Sequence, residues 1–328
     1  MSTTLIVLIL LALSFDFING FHDSANSVAT LIGTGVLKPW PALLWAGSFN
    51  FLAFFIFPLH VAMTIGSGIL EPSFISNMSL AAALSGAILF NLCTWALGLP
   101  SSSSHALIGG LMGVGLMQGG VDALHWPIIT VILVSVLAAP LIGMGASYFL
   151  VKIIPLLFPE KSHQRFYPAL QLFSSALLSL GHGGNDAQKT MGIMVALLFA
   201  NGQLESMDHM PLWVVLSCYS VIALGTISGG WRIINTVAYK ITALKMPSGA
   251  CAEFGASFTL FIANHLGIPL SSTHVLTGGV VGVSGYNQET MKKTNWRIIR
   301  HIGLAWLFTF PIAGLFAAVV FAVLGSLV

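Results

Sequence analysis

No Asp, Glu, Lys or Arg occurs in residues 41–63, 78–98, 128–151, 211–229 or 301–328. Each run is about 20 residues or longer, the length at which an α-helix crosses the ~30 Å hydrocarbon core of a bilayer. In that medium every backbone N–H and C=O must be bonded within the protein, so only helices and closed barrels span it. The runs are continuous and do not alternate every second residue, which argues against barrel strands. The whole chain is 56% hydrophobic and 7% charged, against about 25% charged in a soluble domain. An all-α, polytopic membrane protein embedded in the lipid bilayer is expected. The net charge of +2 gives no basic footprint for nucleic acid. Cys93, Cys218 and Cys251 lie far apart in apolar runs and are expected to be packing residues, with no disulfide or metal pattern. Residues 1–15 lack the basic start and small-residue cleavage site of a signal peptide, and are expected to belong to the first transmembrane segment.

Against this apolar background, two polar motifs occur twice. Gly20-Phe21-His22-Asp23-Ser24-Ala25-Asn26-Ser27 has a counterpart in Gly183-Gly184-Asn185-Asp186-Ala187-Gln188-Lys189-Thr190. Leu99-Pro100-Ser101-Ser102-Ser103-Ser104-His105 has one in Ile268-Pro269-Leu270-Ser271-Ser272-Thr273-His274. Recurrence at matching places in two halves points to a transporter built from repeats, with broken helices lining a site between them. The expected division is repeat 1 in 1–151, a cytoplasmic connector in 152–165, and repeat 2 in 166–328.

The cationic residues give the relative orientation of the halves. Lys38, Lys152, Lys161, Arg165, Arg232, Lys240, Lys245, Lys292, Lys293, Arg297 and Arg300 fall in few places, and only Lys189 lies within a motif. Loops 64–77, 118–127 and 201–210 contain no Lys or Arg and carry Glu71, Asp122, Glu205 and Asp208. Basic loops stay cytoplasmic. Both termini then fall outside, each half makes an odd number of crossings, and the repeats are inverted. A bacterial-type inner (cytoplasmic) membrane is expected. Segments 78–98 and 101–117, like 248–267 and 271–287, enter and leave on one side. They are either full spans or re-entrant hairpins. Residues 231–245 have basic and apolar faces, as in a helix lying at the interface.

The Pro-Ser motifs are expected to start helices inside the membrane, because Pro100 and Pro269 break the helices before them and serines cap the helices after them. A helix N-terminus offers free N–H groups to an anion. Ser102, Ser103, Ser104, Ser271, Ser272 and Thr273 add hydroxyl donors, with Ser103 and Thr273 taken as repeat-related. Two such ends facing each other suit a small tetrahedral oxyanion. The alternative is that the hydroxyls only join helices. Asp23 and Asp186 are out of place in an anion site unless a cation or proton is carried with it; ionisable residues at that depth line polar paths. The alternative is an Asp186–Lys189 pair at i, i+3, which leaves Asp23 unpaired. One helix over 3–35 would be ~48 Å long, so a break at Asn19-Gly20 is expected. Asp16 and Glu253 are candidates for handling protons or for buried hydrogen bonds. His105 and His274 are candidates for packing as much as for ligation.

At these motifs the chain resembles the inorganic phosphate transporter family of secondary carriers. Gly183-Gly184-Asn185-Asp186 matches its Gly-x-Asn-Asp signature, and Gly20-Phe21-His22-Asp23 matches with His22 in place of Asn. Residues 100–105 and 269–274 match its Pro-Ser/Thr-rich-His motif, and Gly229-Gly230-Trp231-Arg232 also fits. The resemblance implies import of inorganic phosphate with a cation, by alternating access. His22 resembles the bacterial low-affinity branch, which implies H⁺ coupling and a substrate that can be a metal–phosphate complex; Na⁺ coupling or a sulfate permease of the same fold is the alternative. It further implies phosphate contacts from the six hydroxyls with Asn26, Asn185 and Gln188. Coupling would fall to Asp23, Asp186, His22 and Glu253. A metal at Asp23, Asn26 and Asp186 is implied only if Na⁺ or a divalent cation binds. No cofactor is implied, and a homodimer is.

Two other classes fit parts of the sequence. Gly282-Val283-Ser284-Gly285 with His301 matches a serine-protease nucleophile and base. A passive anion channel would need no coupling carboxylates. Neither accounts for the duplication.

Overall fold

In the computed structural model, which describes residues 2–158, 163–286 and 288–326, the chain is helical and no strand occurs among the described residues. The first helix, α1 (Thr3–Thr34), is capped by Ser2, whose hydroxyl accepts from the Leu5 N–H at 3.2 Å. It runs unbroken for 32 residues, so the expected break at Asn19-Gly20 is absent. Gly20 serves close packing: a Cβ there would lie 2.3 Å from the carbonyl oxygen of Ile222. A ~48 Å helix fits a thinner core by tilting or protruding.

Eight further elements complete the first half. They are α2 (Pro39–Leu52), a 3₁₀ turn (Ala53–Phe55), α3 (His60–Gly68), a second 3₁₀ turn (Pro72–Phe74), α4 (Asn77–Leu97), α5 (Ser103–Gly119), a third 3₁₀ turn (Gly120–Ala123) and α6 (Trp126–Leu157). The second half repeats the order with α7 (His163–Ala200), α8 (Leu212–Ser228), α9 (Trp231–Asn235), α10 (Met246–Leu266) and α11 (Ser272–Ser284). It adds a short α12 (Gln288–Lys293) before α13 (Trp296–Gly325). The expected connector is shorter than 152–165, since α6 continues through Leu157 and α7 begins at His163; residues 159–162 lie outside the described residues. The segment after α8 is helical only to Lys240, with π geometry over Thr236–Lys240. It buries Ile233, Ile234 and Val237 and exposes Arg232 and Lys240, the two faces expected.

Contacts establish the inversion. α1 and α7 run antiparallel: Asp16 meets Thr190 at 2.7 Å, Ser27 meets His182 at 3.5 Å and Thr34 meets Gln171 at 3.0 Å. The bent pairs correspond, α2 to α3 turning by 86° and α8 to α9 by 59°. Thr64 donates to the carbonyl of Gly267 (2.8 Å), and Thr236 donates to that of Gly98 (2.9 Å). His60 Nδ1 reaches the carbonyl of His265 at 3.0 Å, as Arg232 Nη1 reaches that of Ala96 at 2.5 Å. The basic loops meet at one end of the bundle, where the Asn295 N–H donates to the Ile241 carbonyl and Trp40 packs on Trp231. The loops lacking basic residues meet at the other, through Asn77 with Asn201 and the Glu71 N–H with the Ala123 carbonyl.

Each pair α4–α5 and α10–α11 forms a helical hairpin with its Pro-Ser motif at the turn. Asn77 and Gly119 lie at the end without basic loops, Gly119 against Phe74, while the hairpin tip reaches the middle of α1. Gly98 (φ 65°) and Gly267 (φ 68°) end α4 and α10 in the left-handed conformation that only glycine adopts freely, and so turn the chain at the tips. The last helix of each half packs on the other half's hairpin. α13 touches α4 at Ala317–Gly86 and α5 at Phe310–Gly109, and α6 touches α11 at Pro140–Gly278.

Close backbone approach predicts which glycines cannot change. Gly20→Ala should destabilise the detergent-purified protein by about 1–3 kcal/mol through overpacking. Gly303→Ala, where a Cβ meets nothing within 4 Å, should be neutral or stabilising by up to about 1 kcal/mol. Thermal denaturation of the two variants against the parent checks the pair; equal melting temperatures would remove the packing role of Gly20.

Candidate substrate and cation site

The hairpin tips are capped as the sequence implies. Ser102 accepts from the His105 N–H at 3.2 Å, and Ser271 from the His274 N–H at 3.3 Å. These bonds fix the repeat register: Ser102 corresponds to Ser271, Ser103 to Ser272 and Ser104 to Thr273. The expected pairing of Ser103 with Thr273 is therefore off by one residue. The caps occupy Ser102 and Ser271, and leave first-turn N–H groups that have no acceptor within their own helix. The two helix starts face each other, and the rings of His105 and His274 touch with centroids 4.7 Å apart. Both histidines are also packed, His105 on Phe310 and His274 on Trp306.

Between the tips lie the middles of α1 and α7. Ser103 donates to Asp23 Oδ1 at 3.3 Å, and its counterpart Ser272 donates to Asp186 Oδ2 at 3.4 Å. Thr273 crosses to Asp23 Oδ2 at 3.5 Å. Asn26 donates to Thr273 at 2.9 Å and to Ser272 at 3.2 Å. Lys189, which corresponds to Asn26, donates to Ser104 and to Asp186, both at 2.5 Å, and to the Leu270 carbonyl at 2.8 Å. His22 bonds Asp23 Oδ1 at 2.7 Å and reaches Thr94 and Ser101 through its other nitrogen. Asp23, Asp186, Lys189, Asn26 and the four hydroxyl residues are all buried. The conformation is closed to both sides, and substrate can enter only if packed elements move.

The remaining expected residues stand elsewhere. Asn185 donates to Asn264 Oδ1 at 2.7 Å and to the Ile268 carbonyl at 3.3 Å, which ties α7 to the second hairpin. Gln188 accepts from the N–H groups of Val61 and Ala62 and donates to the Pro58 carbonyl, capping α3. Glu253 is gripped by Thr30 and Ser174, about two turns along α1 from Asp23. Asp16 lies two turns the other way, bonded to Thr190. The Asp186–Lys189 pair is present at 2.5 Å.

One participant escaped the sequence reading. His182 Nε2 lies 3.0 Å from Asp186 Oδ2, while its Nδ1 lies 3.2 Å from Asn50 Oδ1. Asp23, His182 and Asp186 present ligand atoms all within 4.8 Å of one another. The available signal was its spacing, since His182 precedes Asp186 by one helical turn. Two carboxylates with hydroxyls around them form a donor set suited to a hard cation.

Comparison with known proteins agrees with this geometry. A profile of the phosphate transporter family matches residues 19–164 and again 156–317, one match per half. The chain belongs to the phosphate transporter family. It is 47% identical over 317 residues to a probable low-affinity inorganic phosphate transporter of Rhizobium meliloti (strain 1021), covering 96% of this chain and 94% of that one. It is 36% identical to the protein of the same description in Bacillus subtilis (strain 168), covering 98% and 97%. A solved structure titled "The sodium-dependent phosphate transporter" superposes with a TM-score of 0.89 over 100% of both chains at 24% identity, which shows the fold.

Membership makes this a multi-pass membrane protein of a transporter family, not an enzyme. The protease reading also fails on geometry. Ser284 donates to the Val281 carbonyl at the end of α11, whereas His301 lies exposed in a cleft with Phe90, Leu97 and Phe308.

The hydroxyl contacts predict a binding defect. Ser103→Ala and Ser272→Ala should each weaken phosphate binding ten- to hundred-fold, since a hydrogen bond to a charged group contributes roughly 1.5–3 kcal/mol. Isothermal calorimetry on folded protein measures this; unchanged affinity in both would remove the tips from the site.

Proposed function

We propose that the protein imports inorganic phosphate together with a cation, by alternating access around the tips of the two hairpins. The observation that carries this reading is the convergence of two repeat-related, hydroxyl-bearing helix starts on Asp23, Asp186 and Lys189. The helix starts and hydroxyls supply donors for a tetrahedral oxyanion. The carboxylates would repel that anion unless a cation or proton lies between them. The descriptions of the relatives support phosphate as the substrate. Phosphate contacts are assigned to Ser103, Ser104, Ser272, Thr273 and Asn26, and cation or proton handling to Asp23 and Asp186 with His22.

H⁺ is the favoured coupling ion, because His22 is bonded directly to Asp23 and an imidazole can pass a proton to the carboxylate it touches. The cluster of Asp23, His182 and Asp186 favours a second reading with Na⁺. The grouping of Arg232, Lys240, Lys245 and Lys293 at one end of the bundle supports a cytoplasmic assignment of that end, with both termini outside.

Radiolabelled phosphate uptake into proteoliposomes under separately imposed gradients tests the reading. An inside-alkaline gradient without sodium should drive accumulation. Accumulation driven only by inward sodium would replace H⁺ with Na⁺, and flux that no cation gradient drives uphill would sink coupled transport. Asp23→Asn should abolish accumulation while the protein stays folded, because the amide keeps the shape and removes the charge. Full concentrative uptake by this variant would remove Asp23 from coupling.

A further inference from the structure

The repeats impose an approximate two-fold symmetry on the site, and its charges break that symmetry. Asp23 and Asp186 correspond, as do the hydroxyls that touch them. Around Asp186 the corresponding positions hold His182 and Lys189; around Asp23 they hold Asn19 and Asn26. Each carboxylate has an imidazole beside it, His182 at Asp186 and His22 at Asp23, but only Asp186 is faced by a lysine ammonium; at the matching position its twin has the neutral amide of Asn26.

The surroundings of the ammonium show what that half was shaped to hold. Lys189 Nζ has three oxygen neighbours, Asp186 Oδ1 and Ser104 Oγ at 2.5 Å and the Leu270 carbonyl at 2.8 Å. A carboxylate, a hydroxyl and a backbone carbonyl form the oxygen set that binds hard cations. Applying the repeat correspondence gives the matching set in the other half: Asp23, Thr273 and the carbonyl of Ser101. Thr273 already lies 3.5 Å from Asp23. Asn19 supplies a second, independent sign. It is fully buried about one turn before Asp23, and neither Oδ1 nor Nδ2 has a hydrogen-bond partner. A buried amide in that state calls for a partner, and one turn from Asp23 it can lend its Oδ1 to a cation held there.

We propose that Lys189 is a built-in cation, filling one of two repeat-related cation positions, so that a single mobile cation, held in the Asp23 half, accompanies each phosphate. This rests on the reading of the site as one for coupled phosphate transport. The charge count of the carboxylates and the lysine agrees: Asp23 and Asp186 bring two negative charges and Lys189 one positive, so with the imidazoles of His22 and His182 counted as neutral one monovalent cation completes neutrality before phosphate adds its own charge. A chain with an amide at 189 would need two.

The test is Lys189→Asn, which gives the second half the residue that the first half has at position 26. Two readouts are used: the melting temperature of detergent-purified protein in NaCl or choline chloride, and phosphate accumulation in proteoliposomes with membrane potential clamped at zero. The vacated oxygen nest should take up Na⁺. The variant should melt higher in NaCl than in choline chloride by a margin that the parent lacks. It should also gain one sodium ion per phosphate. At fixed pH gradient, a tenfold inward sodium gradient should raise its accumulation by about tenfold more than in the parent. Lys189→Gln, which keeps an amide donor on a longer stem, should show the same sodium-dependent melting. Folded variants with unchanged sodium dependence in both readouts overturn the proposal. So does loss of phosphate binding that sodium does not restore, which would make Lys189 a phosphate ligand. Failure of both variants to fold in either salt also overturns it, leaving Lys189 a brace. If the parent itself accumulates no phosphate under any cation gradient, the transport reading has failed instead, and the melting comparison still judges the lysine.

Discussion

Two carboxylates in the middle of a bilayer-crossing protein must find positive or donating partners, and the centre of this structure is arranged by that need. A carboxylate left unpaired at that depth costs at least several kcal/mol. Asp186 meets it internally, through Lys189 at 2.5 Å and His182 at 3.0 Å. Asp23 meets it with His22 and with hydroxyls borrowed from both hairpins. Because those hydroxyls sit on helix starts, the hairpins must terminate where their tips meet the two carboxylates. The left-handed glycines at their turns, the prolines before their caps and the threonine latches onto Gly98 and Gly267 all serve that termination.

Much of this was legible in the amino-acid order, and the exceptions have physical causes. The inverted repeat could be read because charge and polarity are scarce here, so each Lys, Asp or Pro-Ser run carries weight. The helix starts at Ser102 and Ser271 could be read because capping is local chemistry. The continuity of α1 could not. Gly20 looks like a breaker in one dimension, yet its missing side chain answers to the backbone of α8, more than 200 residues away in the chain. Gln188 and Asn185 are bonded away from the two carboxylates for a related cause. They lie on the motif helix, but helical rotation turns them toward α3 and the second hairpin. His182 was missed because the duplicated motif begins after it, and its counterpart Asn19 carries no charge to draw notice. The hairpins stayed ambiguous because a charge count fixes sides, not depth.

The latches of the two halves are equal in kind and differ in chemistry. Both threonines hold a glycine carbonyl. The partner beside each is His60 in one half and Arg232 in the other, and Arg232 also lies over the Trp95 ring. A guanidinium offers a fixed fork of five N–H donors, while an imidazole has two ring nitrogens whose roles depend on the tautomer. The two hairpin turns are therefore held by partners of different kind, although the backbone plan is the same.

The exchange of terminal helices bears on how the molecule is made. The first hairpin, α4–α5, is covered by α13, and α13 leaves the ribosome after all of α1 to α12. Until it arrives, the backbone contacts that Gly86, Gly109 and Gly113 make with Ala317, Phe310 and Gly314 have nothing to close on. The first half therefore cannot mature ahead of the second during synthesis. Its stability is deferred until α13 is made, and a product cut short before residue 296 would leave an uncovered hairpin for quality control to find.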